Sequence, residues 1–330
     1  MLNIVQVGLG PLGQKVVRFA VERGALAVVG AVDPAPGKAG RDLGEVCDLG
    51  VLGVRVAPDL AGALAGQRPE VAVVTTVSGL KALVPQLEPI AAAGLHIVST
   101  CEELSYPWET QPELAKRLDE TCRRHGVACI GTGVNPGFLM DYLPCVLTSV
   151  CQHVERVCVS RVQDASKRRV PFQQKIGAGL SLADFERKAT DGTLRHVGLT
   201  ESMHLIARAL NWKLDRIVES LDPVVAREEI TSGYVRIAAG MACGVEQTGR
   251  GFMGAREAIR LQFRAAVGEK ESYDTVEITG IPDLKSTIPG GVNGDVATCA
   301  ITLNACRAIG RCTPGLKTML DLPVPTYFQA

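Results

Sequence analysis

The feature that most constrains the fold is the start of the chain, where a short β-rich run leads directly into a glycine-rich turn. Residues 3–7 are followed by the sequence GLGPLG at positions 8–13, and apolar residues then recur at helical spacing as far as Val21. A second apolar run, residues 25–32, ends at Asp33. Strand, glycine turn, helix, strand and acidic residue is the order of a dinucleotide-binding βαβ unit, which the sequence therefore predicts.

Each position of the glycine turn has a physical role in this interpretation. Gly8 allows the tight turn, Gly10 lets the backbone approach a pyrophosphate, and Gly13 lets the helix pack closely on the strand. The N-terminus of the helix supplies amide donors to the anion. We therefore predict cofactor contacts from Gly8, Gly10, Pro11, Leu12 and Gly13.

Asp33 bears on the choice of cofactor. Its carboxylate can accept hydrogen bonds from the hydroxyls of the adenosine ribose, and it repels a 2′-phosphate. NAD is therefore the expected cofactor. Lys38 and Arg41 follow closely and could serve a 2′-phosphate, so NADP is the alternative. The other interpretation of these two cations is a pair of solvated loop charges.

Three further apolar runs continue the alternation of strands and helices. They cover residues 71–74, 96–98 and 127–130, and helical segments end near residues 93 and 125. This alternation predicts an α/β fold with a doubly wound parallel sheet. Ligands in such sheets bind at the carboxyl ends of the strands.

Polar residues follow each of these three runs. Thr75 and Thr76 come after the first, Glu102 and Glu103 after the second, and Asn135 after the third. We predict that the threonines contact the ribose and diphosphate, the alternative being ordinary strand-end residues. The Asn135 amide could bond the nicotinamide carboxamide or ribose, and it also suits an Asn-Pro turn.

The second half of the chain has a different pattern. Long strands are predicted over residues 154–162, 216–225, 234–243, 258–267 and 275–281, with one amphipathic helix over 199–212. This is typical of an α+β domain with an open antiparallel or mixed sheet. A break at residues 289–291 precedes a helix that ends near residue 309 and should return to the first domain.

Length and composition agree with two domains and limit the classes of partner to be expected. A chain of 330 residues is about twice the size of one domain, and we place residues 1–137 with 293–330 in the first domain and 138–292 in the second. Lys+Arg and Asp+Glu both number 35 and aromatic residues are 4%, so neither nucleic acid nor an anionic membrane is the expected partner.

The cysteines and the N-terminus bear on metal binding and location. The 11 cysteines include no C-x-x-C pair, so we interpret them as buried thiols and predict no metal site. The N-terminus lacks the basic region of a secretory signal, and no apolar run is long enough to cross a membrane. A cytoplasmic protein is expected.

Four segments together carry a family resemblance. They are GLGPLG (8–13), VSTCEELSYPW (98–108), GTGVNPGF (131–138) and GGVNGDVAT (290–298). With these segments the chain resembles the 2,4-diaminopentanoate dehydrogenase family, which is related to dihydrodipicolinate reductase and includes NAD(P)-dependent amine dehydrogenases. The resemblance implies a Rossmann domain, a dihydrodipicolinate reductase-like α+β domain and a homodimer formed through the latter. Dihydrodipicolinate reductases proper carry a His-His motif that this sequence lacks.

The resemblance also implies a catalytic glutamate in the CEEL segment. Such a carboxylate could activate ammonia, protonate the leaving hydroxyl of a carbinolamine and stabilise the iminium that accepts hydride. Successive residues of an extended chain point to opposite sides, so only one of the pair should face the substrate. Glu102 is the first choice and Glu103 the second. The alternative is a strand-end carboxylate that caps the following turn.

Substrate contacts are expected largely from the second domain. Phe138 and Met140 could form an apolar wall, although such residues are more often core. Arg161 and Asp164 could hold the carboxylate and amine of a diamino acid, or form a solvated pair at the sheet edge. His196 precedes the amphipathic helix and is the last candidate, although such a histidine is more often a satisfied polar residue than a base.

Three functions are consistent with these residues. The leading one is an NAD(P)-dependent amine dehydrogenase that interconverts an amine with a ketone and ammonia. The second is an imine reductase of the dihydrodipicolinate reductase type, without ammonia chemistry. The third is a nucleotide-sensing protein, which would need only the glycine turn and Asp33.

Overall fold

A computed structural model of the chain describes residues 1–166, 168, 170–194, 197–232 and 234–330. These residues form two compact units. The first comprises Met1–Phe138 and Asn293–Ala330, and the second comprises Leu139–Val292. This division lies within one residue of the boundaries expected from the sequence.

The first unit contains a seven-stranded sheet flanked by helices. Its strands are β1 (Leu2–Val7), β2 (Leu26–Val32), β3 (Val56–Ala57), β4 (Val71–Val74), β5 (His96–Ser99), β6 (Ala128–Gly131) and β15 (Gly315–Lys317). Its helices are α1 (Pro11–Arg23), α2 (Leu43–Val46), α3 (Leu60–Leu64), α4 (Leu80–Ala92), α5 (Pro112–Arg124) and α10 (Gly294–Ile309). The strand order is β15-β6-β5-β4-β1-β2-β3, and every pairing is parallel. The predicted doubly wound parallel sheet is confirmed.

The helix ends of this unit follow the local sequence. Pro11 occupies the first turn of α1, where its missing amide hydrogen leaves no bond unmade, and Gly24 ends the helix at φ 66°. Asn293 caps α10, because its side chain accepts hydrogen bonds from the amides of Asp295 and Val296. The returning helix α10 packs against α1, β4, β5 and β6.

The second unit contains a six-stranded mixed sheet. The strands of the whole unit are β7 (His153–Asp164), β8 (Arg216–Val225), β9 (Ile230–Thr231), β10 (Arg236–Ile237), β11 (Ala242–Met253), β12 (Arg256–Ala266), β13 (Tyr273–Ile281) and β14 (Leu284–Pro289). Its helices are α6 (Tyr142–Leu147), α7 (Val170–Lys175), α8 (Leu182–Thr190) and α9 (Leu199–Ala209). The main sheet has the order β14-β13-β7-β12-β11-β8, with β7 and β12 parallel, and β9 and β10 form a separate ribbon. The α+β prediction is confirmed.

Four of the five predicted strands match β7, β8, β12 and β13 to within two residues at each end. The strand predicted over 234–243 is wrong. The chain forms only Arg236–Ile237 there and then turns, with Gly240 at φ 85° and the Met241 amide bonded to the Ala238 carbonyl, before β11 starts at Ala242. Helices α7 and α8 were not predicted.

The glycine residues of β11 make this strand difficult to predict from the sequence, since glycine is uncommon inside strands. Gly249 of β11 must be a glycine, because a Cβ at this position would lie 2.8 Å from the Met203 side chain of α9. Helix α9 therefore covers the sheet face on which Gly249 lies. Thr248, the preceding residue of the strand, points to the opposite face.

The cysteines are free thiols, and most are buried. This agrees with their interpretation as small apolar residues. Over the described ranges, no helix combines the length and apolar character needed to span a lipid bilayer.

Candidate active site

The carboxyl edge of the first unit's sheet brings the predicted site residues together. The parallel registers align Val7, Val32, Val74, Ser99 and Gly131 in one row across the sheet. The glycine turn, Asp33, the two threonines, the glutamate pair and Asn135 all follow this row. Five separate segments therefore place polar groups along one edge, as ligand sites of this architecture require.

Close packing of α1 against the glycine turn explains Gly13. A Cβ at this position would lie 2.0 Å from the Gly8 carbonyl oxygen and 2.6 Å from Thr75 Oγ1. Gly8 itself has φ 88°, a conformation that favours glycine. Among the described residues, no atom lies within 4 Å of a Cβ built on Gly10, so the turn has open space at this position.

Thr75 and Gln6 hold the turn in place. The Thr75 hydroxyl donates to the Gly8 carbonyl at 2.9 Å, and the Gln6 side chain donates to the same carbonyl at 2.9 Å and to Thr75 Oγ1 at 2.8 Å. In the structure the Thr75 hydroxyl therefore holds the glycine turn in position, and its hydrogen is already donated to the Gly8 carbonyl. Gln6 was not predicted, although an amide side chain inside the apolar run IVQV was a usable signal.

A cavity of about 540 Å³ adjoins the turn. It is lined by Gly8 and Gly10, by Asp33, Thr75 and Thr76, and by apolar residues that include Val7, Val32, Pro34, Pro58, Leu60 and Ile90. The mixture of an apolar slot with one carboxylate and open glycine backbone fits the adenosine part of a dinucleotide. The residues present therefore fit the predicted cofactor.

Asp33 accepts several hydrogen bonds at the side of this cavity. The backbone amides of Leu9 and Ala35 donate to it at 2.9 and 3.0 Å, and Lys38 Nζ lies 2.8 Å from Oδ2. Burial opposes ionisation, but the bonds from Lys38, Ala35 and Leu9 outweigh it, so the pKa of Asp33 is lowered. The carboxylate is charged at neutral pH.

The two glutamates after β5 have different environments. Residues Glu102–Leu104 form a 3₁₀ turn. The extended chain assumed in choosing between the glutamates is therefore incorrect. Glu103 Oε2 accepts from the Leu80 amide at 2.8 Å and from Gln111 Nε2 at 2.6 Å, so it caps the N-terminus of α4. Within the described part of the chain, the Glu102 carboxylate has no hydrogen-bond partner.

Asn135 is the most unusual polar residue of this edge. It is 7% exposed, and neither its amide nitrogen nor its amide oxygen has a hydrogen-bond partner among the described residues. A buried amide normally has partners, since leaving one unpaired costs about 1–3 kcal/mol. Thr298 Oγ1 accepts from the neighbouring Val134 amide at 3.2 Å and so supports the loop. Thr298 was not predicted.

The substrate residues predicted in or near the second unit are mostly used internally. Met140 is fully buried, whereas Phe138, at the end of the first unit, is partly exposed. Asp164 accepts from the amides of Ser166 and Gly268, which organises a turn. His196 lies outside the described residues.

Arg161 is a structural residue. It is 2% exposed, pairs with Asp274 at 3.0 Å and donates to the Val292 carbonyl at 3.0 Å. Burial lowers the pKa of Arg161 to about 10, although Asp274 opposes the shift. The prediction that Arg161 and Asp164 hold a diamino acid is not supported, because the guanidinium already serves Asp274 and the backbone.

Comparison with known proteins identifies the family. The model of the 2,4-diaminopentanoate dehydrogenase C-terminal domain matches residues 138–330. A 2,4-diaminopentanoate dehydrogenase of Acetoanaerobium sticklandii is 31% identical over 262 residues, 78% of this chain and 74% of the relative. The chain belongs to the 2,4-diaminopentanoate dehydrogenase family.

A second relative and a solved structure are also similar to this chain. An amine dehydrogenase of Streptomyces virginiae is 26% identical over 229 residues, 67% of this chain and 63% of the relative. The structure of an amine dehydrogenase from Mycobacterium smegmatis has the same fold, with a TM-score of 0.85 at 24% identity over 99% of this chain and 97% of that one. The predicted resemblance to the 2,4-diaminopentanoate dehydrogenase family, the oxidoreductase class and the nicotinamide cofactor are confirmed.

Proposed function

We propose that this chain catalyses the reversible oxidative deamination of an amine. The protonated amine, water and oxidised cofactor give a ketone, ammonium, reduced cofactor and a proton. The observation that carries the proposal is the difference between the glutamates, since Glu103 caps a helix and leaves the Glu102 carboxylate available at the carboxyl edge. The amine dehydrogenase relatives support the same chemistry.

Glu102 performs the proton transfers in this proposal. In the direction of amination, its carboxylate accepts a proton from ammonium, and the ammonia that this releases adds to the ketone carbonyl to form the carbinolamine. The resulting acid protonates the hydroxyl of the carbinolamine, which leaves as water, and the ionised carboxylate then stabilises the positive iminium. When bound, the reduced cofactor supplies the hydride that completes the amine.

The cofactor is held by the residues of the first unit. Gly8, Gly10 and the α1 N-terminus receive the diphosphate, and Asp33 receives the adenosine ribose. Asn135 bonds the nicotinamide carboxamide, which would satisfy both of its buried polar atoms. Phe138 remains the described candidate for an apolar substrate contact.

Consumption of NADH or NADPH tests this function. The purified protein is offered ammonia with a panel of ketones and amino-ketones, and absorbance at the reduced cofactor's band is followed. Consumption that requires both ammonia and ketone is expected. Tight cofactor binding without turnover on any pair would favour a nucleotide sensor, and turnover of a preformed imine alone would favour an imine reductase.

Asn135→Leu should separate cofactor binding from stability. The change replaces a buried, unpaired amide with an apolar group of similar shape, so the thermal midpoint of the cofactor-free protein should hold or rise. Affinity for NADH should fall roughly tenfold, the loss expected for one or two hydrogen bonds. Fluorescence titration measures the affinity for NADH, and circular dichroism measures the thermal midpoint.

Asn304→Leu is the matched control. The Asn304 side chain already accepts from Arg23 at 2.7 Å, so this change should lower the midpoint and leave NADH affinity unchanged. A lower midpoint with unaltered affinity in Asn135→Leu as well would show that Asn135 has a structural role instead.

We also propose a homodimer formed through the open face of the second unit's sheet. The registers place a row of hydroxyl and amide side chains across this face, opposite α9: Ser220, Thr248, Gln262, Ser160, Thr275 and Thr287. A broad sheet face that the described helices of the unit leave uncovered is a suitable isologous interface, on which a second copy can pair with the same surface.

Light scattering measures the oligomeric state directly. At micromolar concentration the mass should be twice that of the chain, and Thr248→Arg should convert the protein to monomers by placing unpaired charges in the interface. Thr190→Arg, on exposed α8, should remain dimeric. A monomeric wild-type protein would contradict the proposed interface.

A further inference from the structure

The Asp33 carboxylate is not a bare negative charge. Its Oδ1 atom accepts from the Ala35 amide, and its Oδ2 atom accepts from both the Leu9 amide and Lys38 Nζ. The Asp33 side chain is 10% exposed and that of Lys38 is 28% exposed. The acidic residue that should exclude a 2′-phosphate therefore carries its own counter-ion.

We propose that Lys38 determines how this chain discriminates between NADH and NADPH, and that it allows NADPH to bind. The inference rests on the nicotinamide cofactor site but not on the amine chemistry. An ammonium has three donors, so Lys38 can keep its bond to Asp33 and donate to a 2′-phosphate as well. It also offsets the repulsion between the phosphate and the carboxylate.

The same pair weakens the preference for NADH. The ribose hydroxyls of NADH must share the acceptor sites of Asp33 with the three donors already present. An unpaired Asp33 would bond these hydroxyls freely and repel a phosphate strongly. Lys38 thus acts in opposite directions on the two cofactors, and its removal should sharpen the selectivity for NADH.

Local structure keeps Lys38 in this position. Its amide donates to the Ala35 carbonyl at 2.9 Å, and the Arg41 amide donates to the Lys38 carbonyl at 3.1 Å, so the lysine lies within a compact turn after β2. The neighbouring cation, Arg41, is more exposed and bonds elsewhere, with Nη1 on the Gly37 carbonyl at 3.3 Å and Nε 3.9 Å from Glu45. Arg41 is therefore the natural comparison.

Fluorescence titration gives the dissociation constants of NADH and NADPH without reference to turnover. We expect Lys38→Met to weaken NADPH binding roughly tenfold, the loss of one hydrogen bond to a charged group, while NADH affinity changes less than about threefold. Lys38→Arg should restore NADPH binding, because it keeps the charge. Arg41→Met should leave the ratio of the two constants unchanged.

Asp33→Asn provides the reciprocal measurement. The amide keeps an acceptor for Leu9 and loses the charge that repels phosphate. The ratio of the two dissociation constants should therefore change in favour of NADPH. Circular dichroism checks that each variant is folded. An unchanged ratio in Lys38→Met, or a change confined to Arg41→Met, overturns the role of Lys38. A wild-type protein that binds neither cofactor overturns the cofactor site together with it, whereas binding of both with no amine turnover overturns only the proposed function.

Discussion

Replacement of Glu102 by Gln is expected to lower the rate of reductive amination by roughly 100-fold or more. Glutamine keeps the size and hydrogen-bonding capacity of the side chain but cannot exchange a proton at neutral pH. Affinity for NADH should stay within about twofold, because the cofactor contacts lie on other segments. Steady-state kinetics with saturating ammonia and ketone give the rate of reductive amination, and NADH titration gives the affinity for the cofactor.

Glu103→Gln is the matched control, one residue away and identical in chemistry. Its amide oxygen can still accept from the Leu80 amide, so turnover should fall by less than about fivefold. The loss of charge at the N-terminus of α4 should cost about 1 kcal/mol of stability. The opposite pattern, with Glu103→Gln inactive and Glu102→Gln normal, would transfer the proton chemistry to Glu103.

Replacement of Gly13 by Ala is expected to have the largest effect on the fold of the first unit. The new methyl group would lie 2.0 Å from the Gly8 carbonyl oxygen, and backbone on both sides of this contact leaves little room to adjust. Overpacking of this kind costs about 1–3 kcal/mol. Because the glycine turn or α1 must move, NADH affinity should fall by roughly tenfold or more.

Gly10→Ala separates steric strain from loss of cofactor contact. No atom of the described residues lies within 4 Å of the new methyl group and Gly10 has φ −64°, so stability should change by less than about 1 kcal/mol. Cofactor affinity should nevertheless fall, since the methyl group enters the space assigned to the pyrophosphate. If Gly10→Ala binds NADH as the wild type does, the diphosphate does not approach the turn at this point.

The sequence predicts the first unit well because its signals are local. Strand, glycine turn, helix and Asp33 lie within one short segment, and the apolar runs of a parallel sheet are continuous. The glutamate pair follows β5, but its geometry depends on Leu80 and Gln111, which lie in other segments. No local pattern could show that Glu103 caps a helix while Glu102 does not.

The second unit was harder to predict because its key contacts join distant parts of the chain. Arg161 pairs with Asp274 on a neighbouring strand, so a residue that looked suited to a substrate carboxylate is used within the sheet. From the local sequence, Gly249 similarly indicates a break in the strand, whereas in the structure it leaves room for the Met203 side chain. In both cases tertiary packing overrides the local signal.

Isotope incorporation tests the amine dehydrogenase activity most directly. The wild-type protein is incubated with a ketone, ¹⁵N-ammonium and the reduced cofactor, and the products are analysed by mass spectrometry. We expect an amine that carries ¹⁵N, formed in step with cofactor oxidation by the wild type and nearly absent with Glu102→Gln. Cofactor oxidation that yields an alcohol, or an amine without ¹⁵N, would contradict it.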